Sequence, residues 1–390
     1  MYHRTVIFSI FRLQKMVLCS IFYSGVFCNM EKTIFFDNAA AVKPYDEALE
    51  CFAAESRTHY ANSEAVNLLA YQARKALDEA AERLSSVLTG SRAHPVIWGN
   101  SATELFRIAA SFPEFVSSRA TALEHPALTA NLKKFTAYSR IPVTSEAEPD
   151  FSNCTEKAGL CAVFQVQSEL GIIQNTEKLF SGANARCLLT DAVQAAGKMP
   201  TDKNADIIII SGVKFGSPGG AAMLLAPEGE FTAKLLEHAE KMRKTDYALS
   251  RVSVPLMRAM TLAAEIAVSK MSERTKRISG LNTLIRDGVQ KFGIVPTLPP
   301  GTAVSPYILN LMLPTQEAAV VVRALGQLNI FTAAGSACSA ETDTPSPALG
   351  AIGIKGKKAF RALRLSFWEE NSYEDGKIFL SGLENVLKNY

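Results

Sequence analysis

Signatures of metal and nucleotide binding are missing from this chain. Its 390 residues contain no HExxH, no paired CxxC, no P-loop and no GxGxxG after a strand pattern. Cysteine is sparse and scattered. The seven (Cys19, Cys28, Cys51, Cys154, Cys161, Cys187 and Cys338) are odd in number and show no tight spacing. That argues against a disulfide framework or a cysteine zinc site and points to a reducing, cytoplasmic setting. A charge excess is lacking too. The formal +3 traces to Arg4, Arg12 and Lys15 in residues 1–29, which hold no acid, so the body is neutral. No nucleic acid or anionic surface is expected as a partner.

Membrane-length hydrophobic runs are also absent. "MVLCSIFYSGVFCN" (16–29) follows Arg12 and Lys15 and is apolar for 14 residues. That is short for a span and suits a signal-peptide core, although no small-x-small cleavage site follows. The other reading is that the native protein starts at Met30, with residues 1–29 an over-extended reading frame. No membrane partner is expected.

What is present is the composition of a globular protein, 48% hydrophobic and 20% charged. The length exceeds one ordinary core. Residues 64–88 carry a long amphipathic helix pattern. Short apolar strands follow at 95–100, 159–166, 186–194, 205–212 and 221–227, with helical segments between several of them. Fully apolar strands bounded by helices predict a mostly parallel sheet covered on both faces. Beyond residue 255 a single long helix through Phe292, strands at "YILNLML", "FTAAG" and "FRALRLSF", and two more helices predict an α+β unit.

In open α/β sheets, sites gather at the C-terminal strand ends. Three groups fall there: Ser101, Ala102 and Thr103; Asp191 to Gln194; and Ser211 to Lys214 in "IIIISGVKFGSPGG" (207–220). Each has a bland reading. Ser101 and Thr103 suit plain N-caps, Asp191 a cap, and Lys214 a solvated loop lysine. Together they form one chemical set: an anion cradle at a helix start, an acid and an amine. Pyridoxal phosphate needs that set. The lysine forms a Schiff base, and the carboxylate keeps the pyridine nitrogen protonated.

The ordered motifs "FFDNAAAVKP", "GNSATE", "EHPA", "VQSELGIIQ", "TDAVQAAGKMPTD", "SGVKFGSPGG", "GSACSAETDTPSPALGAIG" and "RALRLSF" carry a resemblance from about residue 33 to the end. The chain resembles the cysteine desulfurases of the class V aminotransferase group. The resemblance implies a fold-type I α/β architecture with a large cofactor-binding domain at 45–260. Residues 30–44 and 261–390 would form the small domain, and a homodimer would share its sites. It implies pyridoxal 5'-phosphate on Lys214, with Asp191 at the ring nitrogen and Gln194 at the phenolic oxygen. His125 would stack on the ring and pass protons. Ala102, Thr103 and Ser211 would hold the phosphate, and Arg364 would clamp the carboxylate of L-cysteine.

Cys338 would take the sulfur as a persulfide and pass it to an acceptor protein. By residue type alone, a lone cysteine also fits an inert buried position, and His125 a structural one.

The chain departs from the family pattern in several places. Val213 replaces a histidine beside the lysine, Gln167 and Ser168 replace two asparagines, and Ser101 and Gly219 replace a glycine and a lysine. Asn67 also replaces a histidine. "RKTDYALSRVSVP" (243–255) stands where the family has a glycine-rich stretch, with Ser253 able to supply the hydroxyl for the partner subunit's phosphate. The primary expectation is a cysteine desulfurase. The alternatives are a related enzyme acting on selenocysteine, cysteine sulfinate or another amino acid, and a non-catalytic homologue.

Overall fold

Four consecutive isoleucines divide the core. The computed structural model describes residues 32–90, 94–202, 204–246, 249, 251–335 and 345–389. Within it Ile207 and Ile209 pack into one apolar cluster, and Ile208 and Ile210 into another. Side chains of a strand alternate between faces, so a run of isoleucine fits only a strand covered on both sides. Full burial of each side chain stabilises the fold by about 1.5–3 kcal/mol.

The strands in chain order are β1 (Ile34–Phe35), β2 (Val96–Gly99), β3 (Ser117–Thr121), β4 (Ala137–Ile141), β5 (Ala158–Phe164), β6 (Ala185–Asp191), β7 (Ile207–Ser211) and β8 (Ala222–Leu225). Later come β9 (Val295–Pro296), β10 (Ile308–Met312), β11 (Ile330–Phe331), β12 (Ala333–Ala334) and β13 (Ala362–Ser366). The main sheet has seven strands in the order β2-β8-β7-β6-β5-β3-β4. β8 runs antiparallel to both β2 and β7; every other pairing is parallel. β2 therefore shares the direction of β7, and the C-terminal ends of six strands share one edge.

Helix Ala102–Ala110 packs into the cluster with Ile207 and Ile209; helix Val254–Ser269 packs into the other. A smaller antiparallel sheet runs β12-β13-β10-β9. β1 pairs with β11, which brings the N-terminal segment beside β13.

Three features depart from the sequence reading. β3 and β4 escape the apolar pattern, because "SSRAT" is polar; its Arg119 is nevertheless buried, donating to the Ala183 carbonyl at 2.6 Å. The expected single long helix after residue 254 breaks at Lys270 into Val254–Ser269 and Met271–Gly288. Lys270 has ψ −2°, and past this bend Arg274 turns inward. Finally, the helix predicted from residue 64 begins at Leu68, because Asn67 caps it by accepting from the Ala70 N–H at 2.9 Å. Among the described residues no helix is long and apolar enough to cross a membrane.

Candidate active site

A cavity of about 290 Å³ opens at the shared strand edge. It is lined after β2 by Ser101, Ala102 and Thr103, and after β3 by Leu123 and His125. After β5 come Val166, Gln167 and Ser168; after β6, Val193 and Gln194; after β7, Val213 and Lys214. Phe164, Asp191 and Ser211 line it from the strand ends themselves, and Ala39, Ala40 and Arg364 close it from the side of β13.

The turn after β7 aims the lysine. Gly212–Lys214 form one short 3₁₀ turn. A side chain at 212 would put its Cβ 2.6 Å from Ser217 Cβ, so only glycine passes there. Lys214 Nζ donates to the Ala39 carbonyl at 2.9 Å and also to the Ala40 carbonyl. The bland reading of Lys214 as a solvated loop residue therefore does not hold.

Asp191 ends β6, the neighbour of β7. Its Oδ1 accepts from the Val193 N–H at 3.0 Å. Burial raises its pKa from an ordinary 3.8 to about 6, opposed by the Val193 bond and by Lys214. A buried carboxylate facing a cavity is a place made for a cation.

That shift predicts a stability signature. The folded protein holds the Asp191 proton more tightly than the unfolded chain. This group's contribution is therefore greatest below the ordinary carboxylate pKa and is lost as pH rises from about 4 through 6. Asp191→Asn, in cofactor-free protein, is expected to add about 2–3 kcal/mol at pH 8 and about half that at pH 5. Thermal melts at the two pH values check it. An equal gain at both would mean that the carboxyl is not raised.

His125 lines the cavity and also ends a helix. It caps helix Pro126–Phe135, with Nδ1 accepting from the Ala127 N–H at 3.1 Å. A nitrogen that accepts carries no proton, so the neutral ring keeps its proton on Nε2. Burial, and then Lys214, hold its pKa below the usual histidine value. Next to it Glu124 is buried and accepts from the Thr121 hydroxyl at 2.6 Å; burial holds its carboxyl well above the usual range.

Ser101 is a plain cap, its Oγ accepting from the Glu104 N–H at 3.2 Å. The first N–H groups of helix Ala102–Ala110, at Ala102 and Thr103, lie at the cavity wall, where helix starts attract anions.

Across the cavity, β13 alternates as expected. Leu363, Leu365 and Phe367 enter the core, while Arg364 turns to the site. Its Nη2 donates to Asp37 at 2.6 Å and its Nη1 to the Ser168 carbonyl at 3.1 Å. Its Nε is buried and lacks a hydrogen-bond partner among the described residues.

Ser253 lies outside this cavity, at the start of helix Val254–Ser269. The role assigned to it belongs to a partner subunit's site, which one chain does not contain. Cys338 lies outside the described residues. Sequence reasoning missed the Ala39 and Ala40 carbonyls, Asp37 and Lys198. Lys198 sits four residues after Gln194 and donates to its Oε1 at 3.1 Å. That spacing was the available signal, hidden because a lysine in a turn normally points to water.

The family model for aminotransferase class-V matches residues 34–379. A putative cysteine desulfurase NifS of Bacillus subtilis (strain 168) is 26% identical over 370 residues, covering 87% of this chain and 91% of its own. Cysteine desulfurase IscS 1 of Archaeoglobus fulgidus is 25% identical over 374 residues, covering 91% and 97%.

Among solved structures, a NifS-like protein superposes with a TM-score of 0.77 at 22% identity, over 92% of this chain and all of that one. The apo cysteine desulfurase of Thermococcus onnurineus NA1 gives 0.72 at 18% identity, over 92% and 95%. At these identities the structures speak for the fold, which is the fold-type I architecture expected from the sequence. With most of its length matched, the chain is a member of the aminotransferase class-V family.

Proposed function

We propose that this chain is a cysteine desulfurase that uses pyridoxal 5'-phosphate, converting L-cysteine to L-alanine and leaving the sulfur as a persulfide on Cys338. The observation that carries the reading is Lys214 and Asp191 on adjacent strand ends of one cavity, with Arg364 facing them. The names of the relatives support the same activity.

The residues fit the cofactor. The buried Asp191 carboxylate suits a protonated ring nitrogen. Gln194 Nε2 suits the phenolic oxygen. The Ala102 and Thr103 helix start with Ser211 suits the phosphate, and His125 a ring face. The volume is at the small end of ligand pockets. Residues 45–260 would hold the cofactor, and 30–44 with 261–390 would bring Arg364 to it.

Pyridoxal phosphate, once bound to the amino acid, draws electrons from Cα and so labilises bonds at Cα and Cβ. The chain's own residues do the rest. Arg364 receives the cysteine carboxylate through its unpartnered Nε and a neighbouring N–H, a fork that fixes orientation. Lys214 accepts the Cα proton and returns it. His125 would hydrogen-bond the substrate sulfur through its Nε2–H, and the proton given up by the Cys338 thiol would reach Cβ as the Cβ–S bond breaks, completing the methyl group of alanine. The Cys338 thiolate attacks the sulfur atom. One sulfur moves from the substrate's Cβ to Cys338, so cysteine and thiol become alanine and persulfide with no outside oxidant. Comparing L-cysteine, L-selenocysteine and L-cysteine sulfinate with the loaded enzyme tests the assignment. Turnover of either of the last two, without cysteine, would transfer it to another class V activity.

A second copy of the chain is the partner most suited to the surface around helix Leu68–Thr89. Tyr60, Val66, Leu68, Leu69 and Tyr71 are exposed within one short stretch. Such a cluster on a water-facing surface marks an interface. A Val66→Asp, Leu68→Asp double variant is expected to elute as a monomer where the native chain elutes as a dimer. Light scattering distinguishes the two, and an unchanged dimer would place the interface elsewhere.

A further inference from the structure

Lys198 is only 5% exposed, yet no acid is paired with it among the described residues. Its Nζ lies 5.6 Å from the centre of the Trp368 ring, and the Arg274 guanidinium 4.1 Å from the same ring. Arg274 is held in turn by Tyr45, Tyr307 and the Ala267 carbonyl, with Glu369 at 3.6 Å. Burial, then Lys214 and Arg274, push the Lys198 pKa down to about 7. A buried amine in cationic company is a cost to folding. It calls for a purpose.

The hydrogen bonds suggest one. Lys198 Nζ donates to Gln194 Oε1 at 3.1 Å, and Gln194 Nε2 donates to the Ala39 carbonyl at 2.8 Å. An amide side chain has an accepting end and a donating end. The lysine brings donors to the first; the carbonyl can only accept from the second. Flipping the amide would set N–H against N–H and oxygen against oxygen, in a buried site where unmet polar groups are costly. Nε2 has two hydrogens. Ala39 takes one, and the other is left for the cavity that Gln194 lines.

We propose that Lys198 is a positioning residue that holds and polarises the Gln194 amide, so that Nε2 donates to the phenolic oxygen of the bound cofactor. The inference rests on the reading of this cavity as a pyridoxal phosphate site. An amine donor on Oε1, most of all in its charged form, makes the amide N–H a stronger donor. That donor favours the anionic phenolic oxygen, and so lowers the basicity of the oxygen and the lysine-bound nitrogen beside it. The pH midpoint of the cofactor's visible band reports this basicity.

The test uses the full chain loaded with pyridoxal phosphate and titrated by visible absorbance. Lys198→Met is expected to raise the midpoint by about one pH unit. Lys198→Arg, which keeps the donor, is expected to stay near the native value. In a Gln194→Ala background the methionine substitution is expected to shift the midpoint by less than half as much. A merely structural lysine would change the melting temperature and leave the midpoint alone. If the methionine variant does not fold, Lys198→Gln, polar but uncharged, carries the same expected rise. An unmoved midpoint in folded protein, or an equal shift without Gln194, overturns the inference alone. A native protein showing no visible band with pyridoxal phosphate overturns the cofactor reading and the inference together.

Discussion

Lys214→Ala is expected to lower cysteine turnover by about 10³-fold or more, because it removes both the covalent anchor and the base at Cα. The geometry explains the severity. Lys214 is carried by a turn that tolerates only glycine at 212, and its amine is steered by the Ala39 and Ala40 carbonyls. Lys198 does not offer a substitute amine, since its Nζ is committed to Gln194. Borohydride reduction followed by peptide mass analysis gives the direct readout. The native chain should carry the cofactor covalently on the peptide containing Lys214, and the variant should carry none. Retained covalent cofactor on another lysine would move the anchor away from the β7 turn.

Cys338→Ala is expected to leave the visible band unchanged while sulfide release falls by at least about 10³-fold, the scale on which loss of a covalent nucleophile acts. The described residues that flank its segment lie near Arg364. On one side Ala333 in β12 pairs with Arg364. On the other, the Ser346 hydroxyl donates to Glu169 at 2.6 Å, one residue from Ser168, whose carbonyl holds Arg364. The described residues on both flanks therefore lie beside the cavity wall. The sequence between them, "SACSAETDT", is small and polar. Undiminished sulfide from the variant would show that the acceptor thiol is another group. Cys161 and Cys187 are unsuited, since burial holds both thiols above their usual pKa.

Much of this was legible in residue order. "IIII" demands a strand covered on both faces, and Lys214 and Asp191 stand at its end and its neighbour's end. Arg364 is forced to the side opposite Leu363 and Leu365 by strand alternation. The bland reading of Ser101 as a cap holds as well. What stayed hidden depends on tertiary partners. β3 is built from "SSRAT", and only the Ala183 carbonyl makes its buried Arg119 tolerable. The break at Lys270 has no proline or glycine to announce it. Lys198 looks like a surface lysine until Trp368, from the far end of the chain, closes over it. Backbone carbonyls such as Ala39 carry no letter of their own.

The most direct test of the account is the amount of alanine formed per protomer from L-cysteine, with pyridoxal phosphate bound and no reductant present. The account predicts one alanine per protomer and then arrest, as Cys338 fills with sulfur, with turnover resuming when a thiol reductant is added. A protein that binds the cofactor yet forms no alanine, or that continues undiminished without reductant, would contradict it.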